Sequence, residues 1–110
     1  MVKFGVCLYT IGLDGCLNGF YTNECGKNEI SNEDAKLKEK YEDFNDRLSG
    51  IYDCYYFQPD KNNNYVELVI TKSGNNMYNL IWKDNDKEIF RGVGYIITEN
   101  QFLVRYESVK

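Results

Sequence analysis

The chain has 110 residues, of which 43% are hydrophobic and 15% aromatic, and its formal net charge is −4 at pH 7. This length fits one domain with one core, over residues 1–110, and the apolar share with a single proline excludes a disordered tail. The negative charge, with lysines and arginines dispersed, argues against nucleic acid as a partner, and no apolar segment reaches the roughly 20 residues of a membrane span.

The first 22 residues predict a β-hairpin. Residues 2–10 are apolar and β-branched, a turn signal follows at 13–15, and residues 16–22 can return antiparallel. A cleaved export signal is not indicated, because the apolar run is short and Asp14 is charged where small neutral residues are required. The protein is therefore expected to be cytoplasmic.

Four cysteines occur without a CxxC pair, and the chain has no histidine to complete a mixed zinc site. In a cytoplasmic protein we expect reduced and mostly buried thiols at all four positions, Cys7, Cys16, Cys25 and Cys54. Disulfides would remain open to the chain if it were exported. No metal and no cofactor is predicted.

Residues 32–48 predict a single helix. Ser31 is a favourable N-cap with Asp34 three residues further on, and Gly50 follows as a stop signal. The apolar residues recur at spacings of four, three and four, which places them on one helical face: Leu37, Tyr41, Phe44 and Leu48. The acidic side chains then lie among lysines on the opposite, solvated face: Glu33, Asp34 and Glu42.

From Ile51 onward the hydrophobic period changes to two, with turn signals between the segments. This punctuation predicts five consecutive strands at 51–58, 65–72, 77–83, 88–97 and 101–107. Short connections make neighbouring strands pair antiparallel. The expected fold is mostly β with one helix (α+β): the opening hairpin and the helix precede a five-stranded meander, residues 51–108, that forms a curved sheet or barrel.

Alternation assigns one face of the meander to apolar residues and glycines: Val66, Leu68, Ile70, Tyr78, Leu80, Trp82, Phe90, Gly92, Gly94, Ile96, Phe102, Val104 and Tyr106. The single tryptophan, Trp82, is expected in the core. Its predicted cross-strand partners are Gly92 and Gly94, because strand glycines mark bends and close approach.

The pattern Tyr78-x-Leu80-x-Trp82, then Gly92-x-Gly94, then Leu103-Val104-x-Tyr106 resembles the closing strands of small avidin-like and lipocalin-like meander barrels, the calycin type. The resemblance covers about 30 residues of the C-terminal third and rests on pattern, not on a diagnostic motif. It implies that the meander curves toward closure. The predicted internal helix departs from the simplest up-and-down barrel.

The chain offers little catalytic equipment. Without histidine it lacks the commonest general base and triad partner, and nothing local activates a cysteine apart from Lys27 near Cys25. Asp53 and Glu67 fall among strand aromatics, but their alternation phase points them to the polar face. No catalytic residue is predicted, and the chain is expected not to be an enzyme.

A curved aromatic sheet offers a concave apolar surface with hydroxyls and a few charges to orient a ligand. The candidate ligand-binding residues are Tyr52, Tyr56, Tyr78, Trp82, Arg91, Arg105 and Tyr106. The two arginines also fit a simpler role as solvated side chains that cover apolar surface. The leading hypothesis is a noncatalytic module that binds a small molecule or a peptide, although a barrel filled by these side chains would have no pocket.

Two other function classes stay open. A protein-interaction or homodimerisation domain would use a sheet edge or a sheet face, which makes a homo-oligomer one expected partner state. An unrecognised enzyme, working through carboxylates, tyrosines or an activated cysteine, ranks third. The identity of the small molecule or protein partner is not encoded in any motif.

Overall fold

The computed structural model describes residues 1–26, 29–42, 46–57 and 64–109. Its strands are Gly5–Ile11 (β1), Leu17–Asn23 (β2), Ser31–Lys40 (β3), Gly50–Phe57 (β4), Asn64–Gly74 (β5), Met77–Asp84 (β6), Lys87–Thr98 (β7) and Gln101–Ser108 (β8). Each strand pairs antiparallel with the next along the chain, and β8 pairs with β1, so the sheet closes into an eight-stranded barrel. These ranges contain no helix, and hence none that could cross a membrane.

The helix predicted over residues 32–48 is wrong. Residues 31–40 form β3, which pairs with β2 on one side and β4 on the other. Ser31 begins this strand opposite Tyr21 and does not cap a helix. Phe44, one of the four residues of the expected helical face, lies outside the described residues. The fold is therefore an all-antiparallel barrel and not the expected α+β arrangement.

Period two explains β3 better than period 3.6. Glu33 and Ala35 are buried and Leu37 is half-buried, whereas the alternate lysines of the strand are exposed. β3 pairs with the neighbouring strand on each side, and this context overrides the helical spacing of the apolar residues within 32–48. Gly50 is likewise not a helix stop: a Cβ there would lie 2.4 Å from the Glu39 carbonyl oxygen, so the glycine permits the close approach of β3 and β4.

The opening hairpin and the five later strands form close to their predicted bounds, with residue 58 outside the described ranges. The predicted apolar face of the meander lines the barrel interior, and Trp82 is only 4% exposed, which confirms its place in the core. Its cross-strand partner is Phe90, however, because Gly92 and Gly94 lie opposite Leu80 and Tyr78. A register shift between Trp82 and Lys83 moves this partner by one residue, from Ile89 to Phe90.

The two glycines of β7 still make room for aromatic rings. A Cβ at Gly94 would lie 2.3 Å from the Phe102 ring, and one at Gly92 would lie 3.3 Å from the Trp82 ring. At Gly94 any other residue would push the Phe102 ring away from the sheet. At Gly92 a Cβ would also lie 2.6 Å from the Arg105 carbonyl oxygen, so this glycine permits the close approach of β7 and β8.

One end of the barrel is closed by the segment that precedes β4. Leu48 and Ser49 are each 1% exposed. The Tyr52 hydroxyl donates to the Leu48 carbonyl oxygen at 2.8 Å, and the Ser49 hydroxyl donates to Asp46 at 2.7 Å and accepts from the Lys72 backbone N–H at 3.0 Å. We call this the Leu48 end. The inward residues near it form the Leu48 half of the core: Ile11, Leu17, Leu48, Tyr52, Ile70, Tyr78 and Phe102.

Candidate functional site

The other half of the barrel interior contains a buried carboxyl group. Glu33 is the third residue of β3, where alternation directs its side chain inward, and it is only 7% exposed. The Tyr9 hydroxyl donates a hydrogen bond to it, and the Cys54 thiol and Trp82 indole also hydrogen-bond to this carboxyl. We call the end of the barrel near Glu33 the Glu33 end. Inward residues near it form the Glu33 half: Cys7, Glu33, Cys54, Val66, Trp82, Phe90 and Tyr106.

Burial dominates the electrostatics of this carboxyl. Removal from water raises the pKa of Glu33 from 4.5 to about 7, while hydrogen bonds from Cys54 and Trp82 lower it in part and the nearby Asp34 raises it. The Glu33 carboxyl therefore changes between its protonated and ionised forms near pH 7. This is the range in which a carboxyl can change its charge in response to a ligand.

The titratable groups that surround Glu33 are themselves acids. The charge of Glu33 raises the pKa of the Cys7 and Cys54 thiols, in which burial is the larger cause, and it also acts on the Tyr56 and Tyr106 hydroxyls. The two ion pairs that the described residues form, Lys38 with Glu67 and Arg91 with Glu107, are on the outside of the barrel. Glu33 thus has hydrogen-bond donors but no ion-pair partner within the described chain.

Three aromatic rings in the Glu33 half contact one another. Trp82 lies 5.8 Å from Tyr106 and 6.5 Å from Phe90, and Phe90 lies 5.7 Å from Tyr106, all between ring centroids. Two of the three contacts are edge-to-face with interplanar angles of 89°. The Asn23 side-chain amide donates to the Tyr106 hydroxyl at 2.9 Å and orients that ring at the rim. We call Trp82, Phe90 and Tyr106 the aromatic trio.

Tyr9 joins the two halves of the core. Its ring stacks on Phe102 at 6.2 Å, in the Leu48 half, while its hydroxyl reaches Glu33. Gly19 of β2 pairs with Tyr9 on one side and with Glu33 on the other. It leaves the space for the Tyr9 ring, since a Cβ there would lie 2.8 Å from this ring and 3.1 Å from the Cys7 sulfur. The position of the hydroxyl donor is therefore fixed by close packing.

The structure separates the candidate ligand-binding residues into three places. Trp82, Tyr106 and the half-buried Tyr56 lie in the Glu33 half. Tyr52 and Tyr78 lie deep in the Leu48 half, 0% and 3% exposed. The two remaining candidates, Arg91 and Arg105, are exposed on the outer face of the barrel, where Arg91 pairs with Glu107 at 3.8 Å. The seven residues do not converge on one site.

Glu33 was missed by sequence reasoning, which placed it on a solvated helix face. The available signal was its period-two relation to Ala35 and Leu37, a short inward series next to alternating outward lysines. Asp53 and Glu67, by contrast, point outward as predicted and lie opposite each other on β4 and β5. A carboxyl inside the barrel is an exception to the usual distribution of charge, and patterns of hydrophobicity do not reveal it.

A row of exposed apolar side chains crosses the outer face. Directly paired residues on five adjacent strands form it: Phe20, Leu8, Leu103, Tyr95 and Met77. Their exposed fractions run from 37% at Leu8 to 60% at Phe20. Contiguous apolar surface of this kind is typical of interaction faces. We call these five residues the outer apolar row.

A separate hollow lies on the outside near the turn between β6 and β7. It has a volume of about 240 Å³ and is lined by Tyr65, Glu67, Lys83, Asp84, Asn85 and Asp86. Tyr65 donates to Asp53 at 2.6 Å and packs against Tyr55 at 5.3 Å between ring centroids. None of the candidate ligand-binding residues lines this hollow.

The four cysteines form no disulfide. Cys7 and Cys54 are buried, Cys16 is partly buried, and Cys25 is exposed. Burial raises the pKa of both interior thiols, so they stay protonated at neutral pH. Among the described residues, no three cysteine or carboxylate side chains converge as metal ligands.

The fold and site define a closed, antiparallel, eight-stranded barrel with a buried carboxyl among aromatic rings, which is compatible with a small calycin-like barrel. No family model, no curated protein and no solved structure matches this chain. The calycin resemblance therefore remains one of architecture.

Proposed function

We propose that this chain is a noncatalytic binding module that holds a small molecule or peptide at the Glu33 end of its barrel. The observation that carries the proposal is the buried Glu33 carboxyl, without an ion-pair partner in the described chain, beside the aromatic trio. Buried carboxyl groups cost stability unless they are paired, so a site of this kind is typically retained for binding or chemistry.

The partial exposure of rings near Glu33 favours entry from this end. Tyr21, Tyr56 and Phe90 pack against the core near this end but are only half-buried. The half-buried side chains toward the opposite end, Leu37 and Ile96, are aliphatic, and Leu48 there is 1% exposed. A ligand that enters here meets aromatic surface first and the carboxyl behind it. This order of contacts is common in sites where apolar walls supply affinity and one polar group sets orientation.

Native mass spectrometry of the purified protein tests this proposal. A retained small molecule would appear as a mass above that of the bare chain, and its loss in a Glu33→Gln variant would place it at the carboxyl. Glu39→Gln is the matched control, because Glu39 lies on the same strand and is exposed. A bare chain mass, together with no change in Trp82 fluorescence across a panel of small organic ligands, would contradict the proposal.

The outer apolar row supports a second candidate function, homodimerisation through the sheet face. A two-fold axis through Leu103 would place Phe20 against Met77 and Leu8 against Tyr95 of the second copy, so the row is complementary to itself. The row is a patch of a few hundred Å², less than the roughly 800 Å² per partner of a standard interface, so the dimer would be weak. Homodimerisation through an unpaired sheet edge is not supported, because each described strand is paired on both sides.

Sedimentation velocity over a range of protein concentrations tests the dimer. Leu103→Lys should abolish concentration-dependent association, whereas Leu13→Lys, at a fully exposed turn outside the row, should leave it unchanged. A parent protein that sediments as a monomer at every concentration would remove this candidate.

A further inference from the structure

We propose that the ligand of the Glu33 site is a small organic ammonium ion that carries at least one N–H and an apolar substituent. This inference names the ligand class of the site proposed above and so rests on that proposed function. It is carried by the arrangement of donors around one buried carboxyl and by the chemistry of the neighbouring rings.

The charges at this site favour a cation. Among the described residues, the titratable groups that interact with Glu33 are Cys7 and Tyr9 on β1, Asp34 on β3, Cys54 and Tyr56 on β4, and Tyr106 on β8. All of these groups are acids, which are neutral or negative, and none of them neutralises a carboxylate. A cation is thus the ligand whose arrival removes the largest unfavourable contribution at this site.

The carboxyl of Glu33 retains room for a further hydrogen-bond donor. An ionised carboxylate accepts about four hydrogen bonds. The Tyr9 O–H donates to Glu33, and the Cys54 S–H and the Trp82 N–H face the same carboxyl. At least one acceptor position remains for a ligand N–H, which favours an ammonium group with a proton over a quaternary ammonium.

The rings beside Glu33 favour an apolar substituent on the ligand. The aromatic trio begins at Trp82, which touches Glu33, and extends through Tyr106 and Phe90 toward the half-buried rim. Aromatic faces attract organic cations and also bury alkyl groups. An ammonium held by Glu33 would therefore direct its apolar substituent along the trio toward the Glu33 end.

Protonation of Glu33 must compete with such a ligand. An alkylammonium keeps its charge across the neutral range, but it requires the ionised carboxylate. Because the pKa of Glu33 is about 7, lowering the pH from about 8 to about 6 should weaken binding by about tenfold. Binding in this range should release a proton to the buffer.

The experiment titrates butylammonium chloride, 1-butanol and tetramethylammonium chloride into the protein and follows the emission of Trp82, the single tryptophan. Butylammonium should shift the emission with an affinity at least about tenfold above those of the neutral alcohol and the quaternary ion. Glu33→Gln should abolish this preference and its pH dependence, and Glu39→Gln should retain both.

The outcomes separate the inference from the proposed function. Equal binding of 1-butanol, or unchanged butylammonium binding by Glu33→Gln, would overturn the cationic ligand while leaving a binding module. Tighter binding of tetramethylammonium would overturn the requirement for an N–H. No response to butylammonium would overturn the inference, and native mass spectrometry would then decide whether a different retained molecule keeps the proposed function.

Discussion

The two halves of the barrel interior bury polar atoms in different ways. In the Leu48 half, the hydroxyls of Tyr52 and Ser49 are buried, and each has a hydrogen-bond partner in the segment that closes the barrel. In the Glu33 half, the buried group is a carboxyl that hydrogen-bonds to Tyr9 but has no ion-pair partner in the described chain. A hydroxyl can be fully satisfied by such contacts, whereas a carboxylate retains its charge.

The difference has a consequence at neutral pH. Burial raises the pKa of Tyr52, and it raises the pKa of Tyr78 to about 12, so both hydroxyls stay protonated. Burial raises the pKa of Glu33 to about 7, and its charge therefore changes within the neutral range. One half of the core is thus insensitive to pH near neutrality, and the other half is sensitive.

The largest expected effect comes from removing the centre of the aromatic trio. Trp82→Ala should lower the free energy of unfolding by about 3 to 5 kcal/mol, because the indole is 4% exposed and its loss leaves a cavity beside Phe90 and Tyr106. Urea unfolding measures this change, with Trp82→Phe as the control that keeps an aromatic ring. A variant that melts within a few degrees of the parent would show that the indole contributes little to the packing of the Glu33 half.

Glu33→Gln should stabilise the protein at neutral and higher pH, which is unusual for a substitution in a packed core. The folded protein binds the Glu33 proton more tightly than the unfolded chain, so the parent loses stability as the pH rises from 4.5 through about 7. The neutral amide avoids this loss. The difference in free energy of unfolding between the variant and the parent should therefore shift by about 3 kcal/mol in favour of the variant between pH 4 and pH 8.

Urea unfolding of parent and variant at both pH values measures this difference. Glu39→Gln, on the same strand but exposed, should show no comparable pH-dependent gain. A difference between parent and Glu33→Gln that is the same at both pH values would mean that Glu33 does not titrate in the neutral range, and the contrast between the halves would fail.

The later strands could be predicted from the sequence because their signals are local. In β5, β6 and β8, apolar residues alternate cleanly and short polar turns separate the strands, so residues such as Leu68 and Val104 were placed correctly in the core. Trp82 was placed in the core for the same reason. Its cross-strand partner was predicted wrongly, because alternation along one strand assigns faces and does not set the register between two strands. The pairing of Asp84 with Lys87 and the one-residue shift after Trp82 place Phe90, and not Gly92 or Gly94, opposite the indole.

The helix prediction between Ser31 and Leu48 failed for a physical reason. Leu37 and Leu48 are spaced as on one helical face, yet Leu37 points inward from β3 and Leu48 closes the end of the barrel. Pairing with the neighbouring strands β2 and β4 decides the conformation, and a helical period within residues 32–48 does not report that pairing. The same error hid Glu33, since a charge that alternates with Ala35 was assigned to solvent.

The smallest of these effects concerns the closure of the Leu48 half. The Ser49 hydroxyl donates to Asp46 at 2.7 Å and accepts from the Lys72 backbone N–H at 3.0 Å, so Ser49→Ala removes both contacts inside a site that is 1% exposed. We expect a loss of about 1 to 2 kcal/mol, the usual cost of leaving such partners without a hydrogen bond. Ser73→Ala, at an exposed position on the same strand as Lys72, should change the free energy of unfolding by less than about 0.5 kcal/mol. Because Glu33 takes no part in these two hydrogen bonds, the loss should be the same near pH 6 and near pH 8. A loss that grows with pH would show that the closed end is coupled to Glu33, and the two halves of the core would then respond to pH as one unit.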